Sequence, residues 1–279
     1  MKPAPAYPSR RLVSPDAQSP STPPRVLSIA GSDSGGGAGI QADLKAFARC
    51  GVYGMTAITA ITAQNTVEVT AVYPLAPEAI IEQVRAVVSD IGVDAVKIGM
   101  LGTAETIDAV SRALDWTGEA PVVLDPVMVA ESGAVLLDEE ARRALARALL
   151  PRVQVVTPNL AEARVLAGAG PEVEPEELAR RVYALGPGAV VVTDGHRERA
   201  TDVFFAGGEV VSIASERYPD GAAHGSGCTH SSALAAHLAL GFDALEAARR
   251  AKAVASAAVR DGLRGIGAGA GPVNALGSR

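Results

Sequence analysis

The sequence predicts an α/β fold in which helices cover both faces of a mostly parallel central sheet, with one small β-hairpin added. From Arg25 onward, short apolar runs alternate with longer segments of helical periodicity. A glycine-rich turn directly follows the first apolar run, as is typical of the edge where such sheets bind ligands. Near the chain's end, two β-branched runs flank Gly207-Gly208, which predicts the hairpin.

Each element has its own signal. Short apolar, β-branched runs predict the strands Val26–Ala30, Thr56–Thr62, Ala95–Ile98, Val122–Leu124, Val153–Val156 and Val190–Thr193, and the hairpin strands Val203–Phe205 and Val210–Ile213. Longer segments with apolar residues at helical spacing predict the helices Ile40–Cys50, Pro77–Ile91, Ala104–Leu114, Glu139–Leu149, Leu160–Ala167, Pro175–Leu185, Cys228–Leu240 and Ala244–Asp261.

The chain divides into a tail and one domain. Residues 1–24 are rich in proline and serine, and such a segment buries little and forms no regular hydrogen-bonded structure. We therefore expect a disordered tail over 1–24. Since neither an internal repeat nor a linker interrupts residues 25–279, we expect a single domain there.

Composition excludes several classes of protein. The 279 residues are 48% hydrophobic, enough for a large core, and their net charge of −6 argues against a nucleic-acid or anionic-membrane binder. With four lysines in the chain, a phosphate site would need a metal ion. Cys50 and Cys228 form no disulfide framework or metal pair, which suits the cytoplasm. No apolar run long enough to span a bilayer and no signal-peptide pattern occurs.

The segment His224–His230 is the most informative motif. Gly225 and Gly227 bracket a serine, and Cys228 stands where a helix is predicted to begin. A helix N-terminus concentrates free N–H groups, so this turn can hold an anion such as a phosphoryl group in transfer. The same position would stabilise a thiolate. An ordinary helix start with a small buried cysteine remains the alternative.

Two further polar segments follow predicted strands. The run Gly31–Gly39 holds neither a Walker A nor a dinucleotide pattern, yet its glycines predict a ligand loop rather than a mere flexible connection. Gln64 ends the second strand. Its amide suits the edge of a nitrogen heterocycle, although strand-end turn chemistry explains it equally well.

Acidic residues at two neighbouring strand ends suggest a cation site. Asp125 ends one apolar strand, and Asn159 and Glu162 follow the next. Mg²⁺ prefers a few carboxylates together with water and substrate oxygens, although Asn159 and Glu162 also fit a capping box. Lys97 lies inside an apolar strand, where an unpaired buried ammonium is costly. We expect it to pair with an acid, and the alternative is that it points to the ligand edge of the sheet.

Together these segments resemble the hydroxymethylpyrimidine/phosphomethylpyrimidine kinases of thiamine biosynthesis, within the ribokinase superfamily. The resemblance runs from residue 25 to about residue 275. Its matching stretches are Ile29–Lys45, Thr62–Thr66, Lys97–Leu101, Leu124–Met128, Thr157–Ala163, His224–Thr229 and Gly271–Asn274.

The resemblance implies a ribokinase-like fold and a cytoplasmic, homodimeric enzyme that uses ATP and Mg²⁺. Its substrates would be 4-amino-5-hydroxymethyl-2-methylpyrimidine and then the monophosphate of that alcohol. By this resemblance the pyrimidine pocket comprises Gly31, Ala38, Asp43, Gln64, Met100 and Val127. The catalytic anion hole comprises Gly225, Ser226, Gly227 and Cys228, the last standing where related sugar kinases carry an aspartate base. ATP and its phosphates contact Asn159, Glu162, Thr193 and Lys252, and Mg²⁺ contacts Asp125 and Glu162.

Other functions stay open at this point. A pyridoxal-type kinase of the same superfamily is the nearest, although Gln64 and Met100 favour an aminopyrimidine. Lysines frequent in the family are replaced at Glu131 and in the stretches 193–196 and 221–223. Arginines such as Arg197 or Mg²⁺ would then carry more of the charge, or the protein would bind the pyrimidine without catalysis. In a third interpretation Cys228 is a hydrolase nucleophile.

Overall fold

Strands and helices alternate along the chain in the computed structural model, which describes residues 22–129, 136–194, 200–219 and 221–277. The strands are β1 (Arg25–Asp33), β2 (Tyr53–Gln64), β3 (Val69–Pro74), β4 (Ala95–Ile98), β5 (Val122–Leu124), β6 (Val155–Val156), β7 (Ala189–Val192), β8 (Ala200–Phe205) and β9 (Val211–Ser215). The helices are α1 (Gly39–Arg49), α2 (Pro77–Asp90), α3 (Ala104–Ala113), α4 (Glu139–Ala148), α5 (Leu160–Ala167), α6 (Pro175–Tyr183), α7 (Ser226–Ala239) and α8 (Ala244–Arg260). The expected tail lies almost wholly outside the described residues, as do Glu131, His196 and Arg197.

The strands build one sheet in the order β3-β2-β1-β4-β5-β6-β7-β8-β9. The pairs from β2 through β7 are parallel, and β3, β8 and β9 add antiparallel edges. This confirms the α/β class, the mostly parallel sheet and the hairpin of β8 with β9. The sequence analysis missed β3, because this exposed edge strand lacks the apolar run on which the strand predictions depended.

The core lies on both faces of the sheet. Successive residues of the buried strands alternate between two clusters, so that Val123 and Val155 face α1, α7 and α8, whereas Leu124 and Val156 face α2 to α6. A strand covered on both sides buries every side chain, which is why these runs are continuously apolar.

Helix boundaries follow local chemistry. Asp138 and Asp243 cap α4 and α8 by accepting backbone N–H groups of the first turn at 2.8 and 2.9 Å. Pro77 and Pro175 stand at the first helical position of α2 and α6, where no donor is lost. Helix α5 ends at Gly168, which adopts the left-handed conformation with φ of +57°.

The strand order reverses between β1 and β4, since β2 lies on one side of β1 and β4 on the other. Ligands of such sheets bind in the crevice beyond the carboxyl ends of strands at this reversal. The loops that follow β1, β4 and β5 meet there. Within the described ranges no helix is both long and apolar enough to cross a membrane. The homodimer and the cytoplasmic location stay predictions.

Candidate active site

The loop between β1 and α1 is held in shape by the carboxylate of Asp33. Its oxygens accept the backbone N–H groups of Gly35 at 2.8 Å, Gly37 at 3.0 Å and Ala38 at 2.8 Å. Burial would raise the pKa of Asp33, but hydrogen bonds from His224 and these amides lower it below its ordinary value. The predicted ligand loop therefore uses these amides internally and offers a ligand a shaped wall.

Two glycines at the ends of this loop lie in contact. Gly39 begins α1 with φ of +55°, and a Cβ there would lie 2.3 Å from the carbonyl oxygen of Gly31. A Cβ on Gly31 would in turn lie 2.4 Å from Cε of Met100. Because both positions are glycine, the end of β1, the start of α1 and Met100, two residues after β4, can lie close together.

The N-terminus of α7 faces the same crevice. Gly225 precedes the helix with φ of +84°, and no side chain caps it. In the described part of the chain, no acceptor is found for the N–H groups of Gly227 and Cys228. Free amides at a helix N-terminus attract anions, which supports the predicted anion hole; its catalytic role stays a prediction. The helix begins at Ser226, two residues before the predicted start.

Cys228 lies where two helix N-termini converge. It is the third residue of α7, and the backbone N–H of Gly39 at the start of α1 acts to lower the pKa of its thiol. Burial nevertheless raises the pKa of its thiol to about 12, with Lys97 acting against this and Asp43 and Asp125 adding to it. The prediction that this position stabilises a thiolate is therefore wrong, because burial and two carboxylates raise the pKa of the thiol more than the helix termini lower it.

This raised pKa predicts slow alkylation of Cys228. We expect iodoacetamide to modify it more slowly than glutathione at neutral pH, since only the thiolate attacks, and to modify it faster as pH rises. Mass spectrometry of the alkylated peptides measures this rate. Cys228→Ser is the control, leaving Cys50, whose pKa burial raises to about 11. Alkylation of Cys228 faster than that of glutathione would contradict the assignment.

A buried ion pair forms the floor below Cys228. Lys97 Nζ lies 2.9 and 3.0 Å from the two carboxylate oxygens of Asp43, and both side chains are 0% exposed. Ser28 and Ser232 also donate to Asp43, at 2.6 and 2.7 Å. The expected acid partner of Lys97 is thus confirmed. The prediction that Asp43 contacts the pyrimidine directly is corrected, because its carboxylate is 0% exposed and already accepts from Lys97 and two serine hydroxyls.

Asp125 and Glu162 lie beside the anion hole. Asp125 accepts from Ser231 at 3.0 Å, and a Cβ on Gly227 would lie 3.7 Å from its Oδ2. Burial, followed by the negative charge of Asp125, raises the pKa of Glu162 to about 8. Two buried carboxylates that repel each other at the edge of an anion hole are suited to a shared cation.

Asn159 and Glu162 also form the capping box that their spacing predicts as an alternative to a cation site. Asn159 Oδ1 accepts from the N–H of Glu162 at 3.0 Å, and Glu162 Oε2 accepts from the N–H of Asn159 at 2.9 Å. Glu162 Oε1 accepts from Met128 at 3.2 Å. The capping box is therefore present, and these hydrogen bonds fix the orientation of the Glu162 carboxylate. Among the described residues, no cluster of three or more potential metal ligands occurs.

Gln64 joins the same crevice through the glycine loop. Its backbone N–H donates to Ser34 Oγ at 2.8 Å, and Ser34 Oγ donates to its carbonyl at 2.7 Å. The remaining predicted pocket residues Ala38, Met100 and Val127 keep partly exposed side chains, unlike the enclosed Asp43. They stay predictions for contact with a substrate.

Thr193 and Lys252 have different surroundings. Thr193 follows β7, and its N–H donates to the carbonyl of Pro158 at 2.9 Å, directly beside Asn159. Lys252 is buried, and its ammonium lies 2.6 Å from Asp202 on β8. The structure thus gives the predicted phosphate ligand Lys252 a carboxylate partner within the protein.

Known proteins are similar to this chain in sequence and in fold. The family model described as phosphomethylpyrimidine kinase matches residues 33–274. The chain belongs to the phosphomethylpyrimidine kinase family. It is 51% identical over 255 residues to a hydroxymethylpyrimidine/phosphomethylpyrimidine kinase of Rhizobium meliloti, covering 89% of this chain and 96% of that one.

Solved structures agree with the family assignment. A phosphomethylpyrimidine kinase of Clostridium difficile superposes with a TM-score of 0.74 and 39% identity, covering 84% of this chain and 98% of that one. A pyridoxal kinase of Staphylococcus aureus in complex with AMP-PCP and pyridoxal superposes with a TM-score of 0.82 and 34% identity, covering 91% and 94% of the two chains. The ribokinase-like fold is thereby confirmed.

In this member of the phosphomethylpyrimidine kinase family, sequence reasoning missed the roles of Asp33 and His224. An aspartate two residues before a glycine is a recognisable turn signal, so the contacts of Asp33 within its loop were open to prediction. Its contact with His224, 191 residues away, was not. Ser231 and Ser232 were missed too, because small polar residues inside a helix carry no distinctive pattern.

Proposed function

We propose that this protein transfers the γ-phosphoryl group of ATP to 4-amino-5-hydroxymethyl-2-methylpyrimidine, and then to the monophosphate to give the diphosphate used in thiamine biosynthesis. The observation that carries the proposal is the convergence at Cys228. Two helix N-termini, free amides of Gly227 and Cys228 and the carboxylate of Asp125 surround one point of the crevice. Such a site suits a phosphoryl group that gathers negative charge during transfer.

The chain's own residues divide the task. The amides of Gly227 and Cys228 bind phosphoryl oxygens and stabilise their charge. The wall formed by Gly31, Ala38 and Met100 orients the pyrimidine and excludes water, with Gln64 available for the ring nitrogens. The thiolate form of Cys228 accepts the proton of the attacking alcohol and becomes the thiol. The monophosphate needs no such acceptor, because its attacking oxygen is already ionised.

Mg²⁺ fits the pair of Asp125 and Glu162. Burial and then the negative charge of Asp125 raise the pKa of Glu162, and a cation shared by the two carboxylates would offset both effects. Mg²⁺ is commonly held by one or two carboxylates plus phosphate oxygens and water, so a set of only two protein ligands is adequate. When bound, the ion supplies charge neutralisation on the phosphates.

The decisive experiment identifies the products by mass. The protein is incubated with ATP, Mg²⁺ and the hydroxymethylpyrimidine, and chromatography coupled to mass spectrometry follows the mono- and diphosphate. We expect both, the second appearing after the first. Absence of any phosphorylated pyrimidine would contradict the proposal and favour a non-catalytic binding protein, whereas monophosphate alone would restrict the activity to the first step.

Pyridoxal is a second candidate acceptor, favoured by the superposition on a pyridoxal kinase described above. It also carries a hydroxymethyl group on a nitrogen heterocycle. The same assay with pyridoxal in place of the pyrimidine, and with both in competition, separates the two. We expect the pyrimidine to have the higher kcat/KM, and the reverse order would make pyridoxal the principal substrate.

A further inference from the structure

His224 and Asp33 connect the two loops that form the crevice. His224 Nε2 lies 3.2 Å from Asp33 Oδ2, and the two side chains are 14% and 3% exposed. Asp33 is the last residue of β1 and binds the loop that follows it, and His224 directly precedes Gly225 at the start of α7. One partly buried contact thus links the expected pyrimidine wall to the anion hole.

Each partner is fixed firmly to its own loop. Asp33 accepts three amides of the glycine loop, the last of them from Ala38. The carbonyl of His224 accepts the N–H of Val273 at 3.0 Å, which ties it to the C-terminal segment. Displacement of either side chain is therefore expected to shift the loop that carries it, and not only to change one rotamer.

The two loops also touch directly beside this contact. A Cβ on Gly225 would lie 1.8 Å from the carbonyl oxygen of Gly37. A Cβ on Gly37 would lie 2.3 Å from His224 Cδ2 and 3.0 Å from Pro272. Backbone, imidazole and proline ring are thus packed without spare room, and the separation between Ala38 and Cys228 is set at this point.

We infer that His224 and Asp33 are positioning residues that hold the pyrimidine wall in register with the anion hole. The inference rests on the proposed kinase activity. Nε2 of His224 is engaged by Asp33, so the pair acts through the loops and not on the reacting atoms. Misplacement of reacting groups by about 1 Å can cost roughly 10²-fold in rate, whereas binding of either substrate alone needs only one of the two loops.

The test compares His224→Ala with His224→Gln. We expect His224→Ala to lower kcat by about 10- to 100-fold while the KM for ATP and the Kd for the pyrimidine change by less than about threefold. The amide of His224→Gln can still donate to Asp33 and should restore part of kcat. His237→Gln is the matched control, since His237 lies at the far end of α7, where its ring hydrogen-bonds the carbonyl of Ala233 and contacts the ring of Phe242.

Gly37→Ala provides an independent variant without any change in charge. Its backbone φ is not in the left-handed region, so the methyl group acts by displacing His224 and Pro272. We expect the same loss of kcat as in His224→Ala. The double variant Asp33→Asn with His224→Ala should have a kcat close to that of the less active single variant, because the effects of substituting two coupled residues are not additive.

Amide hydrogen exchange makes the outcome independent of the reaction. His224→Ala should accelerate exchange in the segments 34–38 and 225–229 and leave the melting temperature close to that of His237→Gln. Unchanged exchange and unchanged kcat would overturn the inference, and so would a loss explained wholly by weaker substrate binding. A wild-type protein that makes no phosphorylated product would instead overturn the proposed function, while the exchange measurement would still decide whether the contact holds the loops.

Discussion

Replacing Cys228 by alanine is expected to slow phosphorylation of the pyrimidine alcohol by about 10²-fold or more and that of the monophosphate by less than about tenfold. The alcohol must lose a proton as it attacks, and in the proposed reaction the thiolate of Cys228, the third residue of α7, takes that proton and becomes the thiol. The monophosphate already carries an ionised oxygen, so its transfer depends on the amides, which the substitution leaves in place.

The raised pKa of Cys228 determines how phosphorylation of the alcohol should change with pH. Because the pKa of Cys228 is raised to about 12, only a small fraction of the protein carries the thiolate near neutrality, and that fraction grows as pH increases. We therefore expect kcat/KM for the alcohol to rise with pH in the wild-type protein, and this rise to be absent in Cys228→Ala. Steady-state rates with each substrate across the pH range measure it. Equal losses in both steps would contradict the assigned role.

Replacing Lys97 by methionine is expected to destabilise the protein by about 3–5 kcal/mol. The substitution leaves the carboxylate of Asp43, which is 0% exposed, with two serine hydroxyls and no counter-charge. Removing one member of a buried pair is costly because the other charge stays uncompensated. Chemical denaturation measures the free energy of unfolding.

Two companion variants separate this effect from a general loss of charge. Arg143→Met breaks the exposed pair with Glu139, 2.8 Å apart on α4, and should cost less than about 0.5 kcal/mol. Combining Lys97→Met with Asp43→Asn removes both charges and should recover part of the lost stability. If Lys97→Met cost no more than Arg143→Met, the buried pair would not be a structural centre.

The sequence predicts those features whose causes are local. The continuously apolar strands follow from burial on both faces, as Val123 and Leu124 show by facing opposite layers. The capping box of Asn159 and Glu162 spans a single helical turn, and the glycines that flank Cys228 stand next to it in the chain. Backbone and neighbour effects within a few residues were sufficient for these predictions.

The features that could not be predicted from the sequence depend on partners that lie far away along the chain. Asp43 reads as a polar residue in the first turns of a helix, and only the fold brings Lys97, 54 residues away, to its carboxylate. The pKa of Cys228 likewise results from burial and from the charges of Lys97, Asp43 and Asp125, which lie on β4, on α1 and directly after β5. Charge balance in a buried cluster is a sum over the whole fold, so its sign could not be read from the motif alone.

The contact between His224 and Asp33 joins residues 191 positions apart in the chain. Asp33 also accepts amides of its near neighbours Gly35, Gly37 and Ala38. A truncated chain that ended before His224 would keep these short-range partners and would lack both the imidazole and every residue of the predicted anion hole.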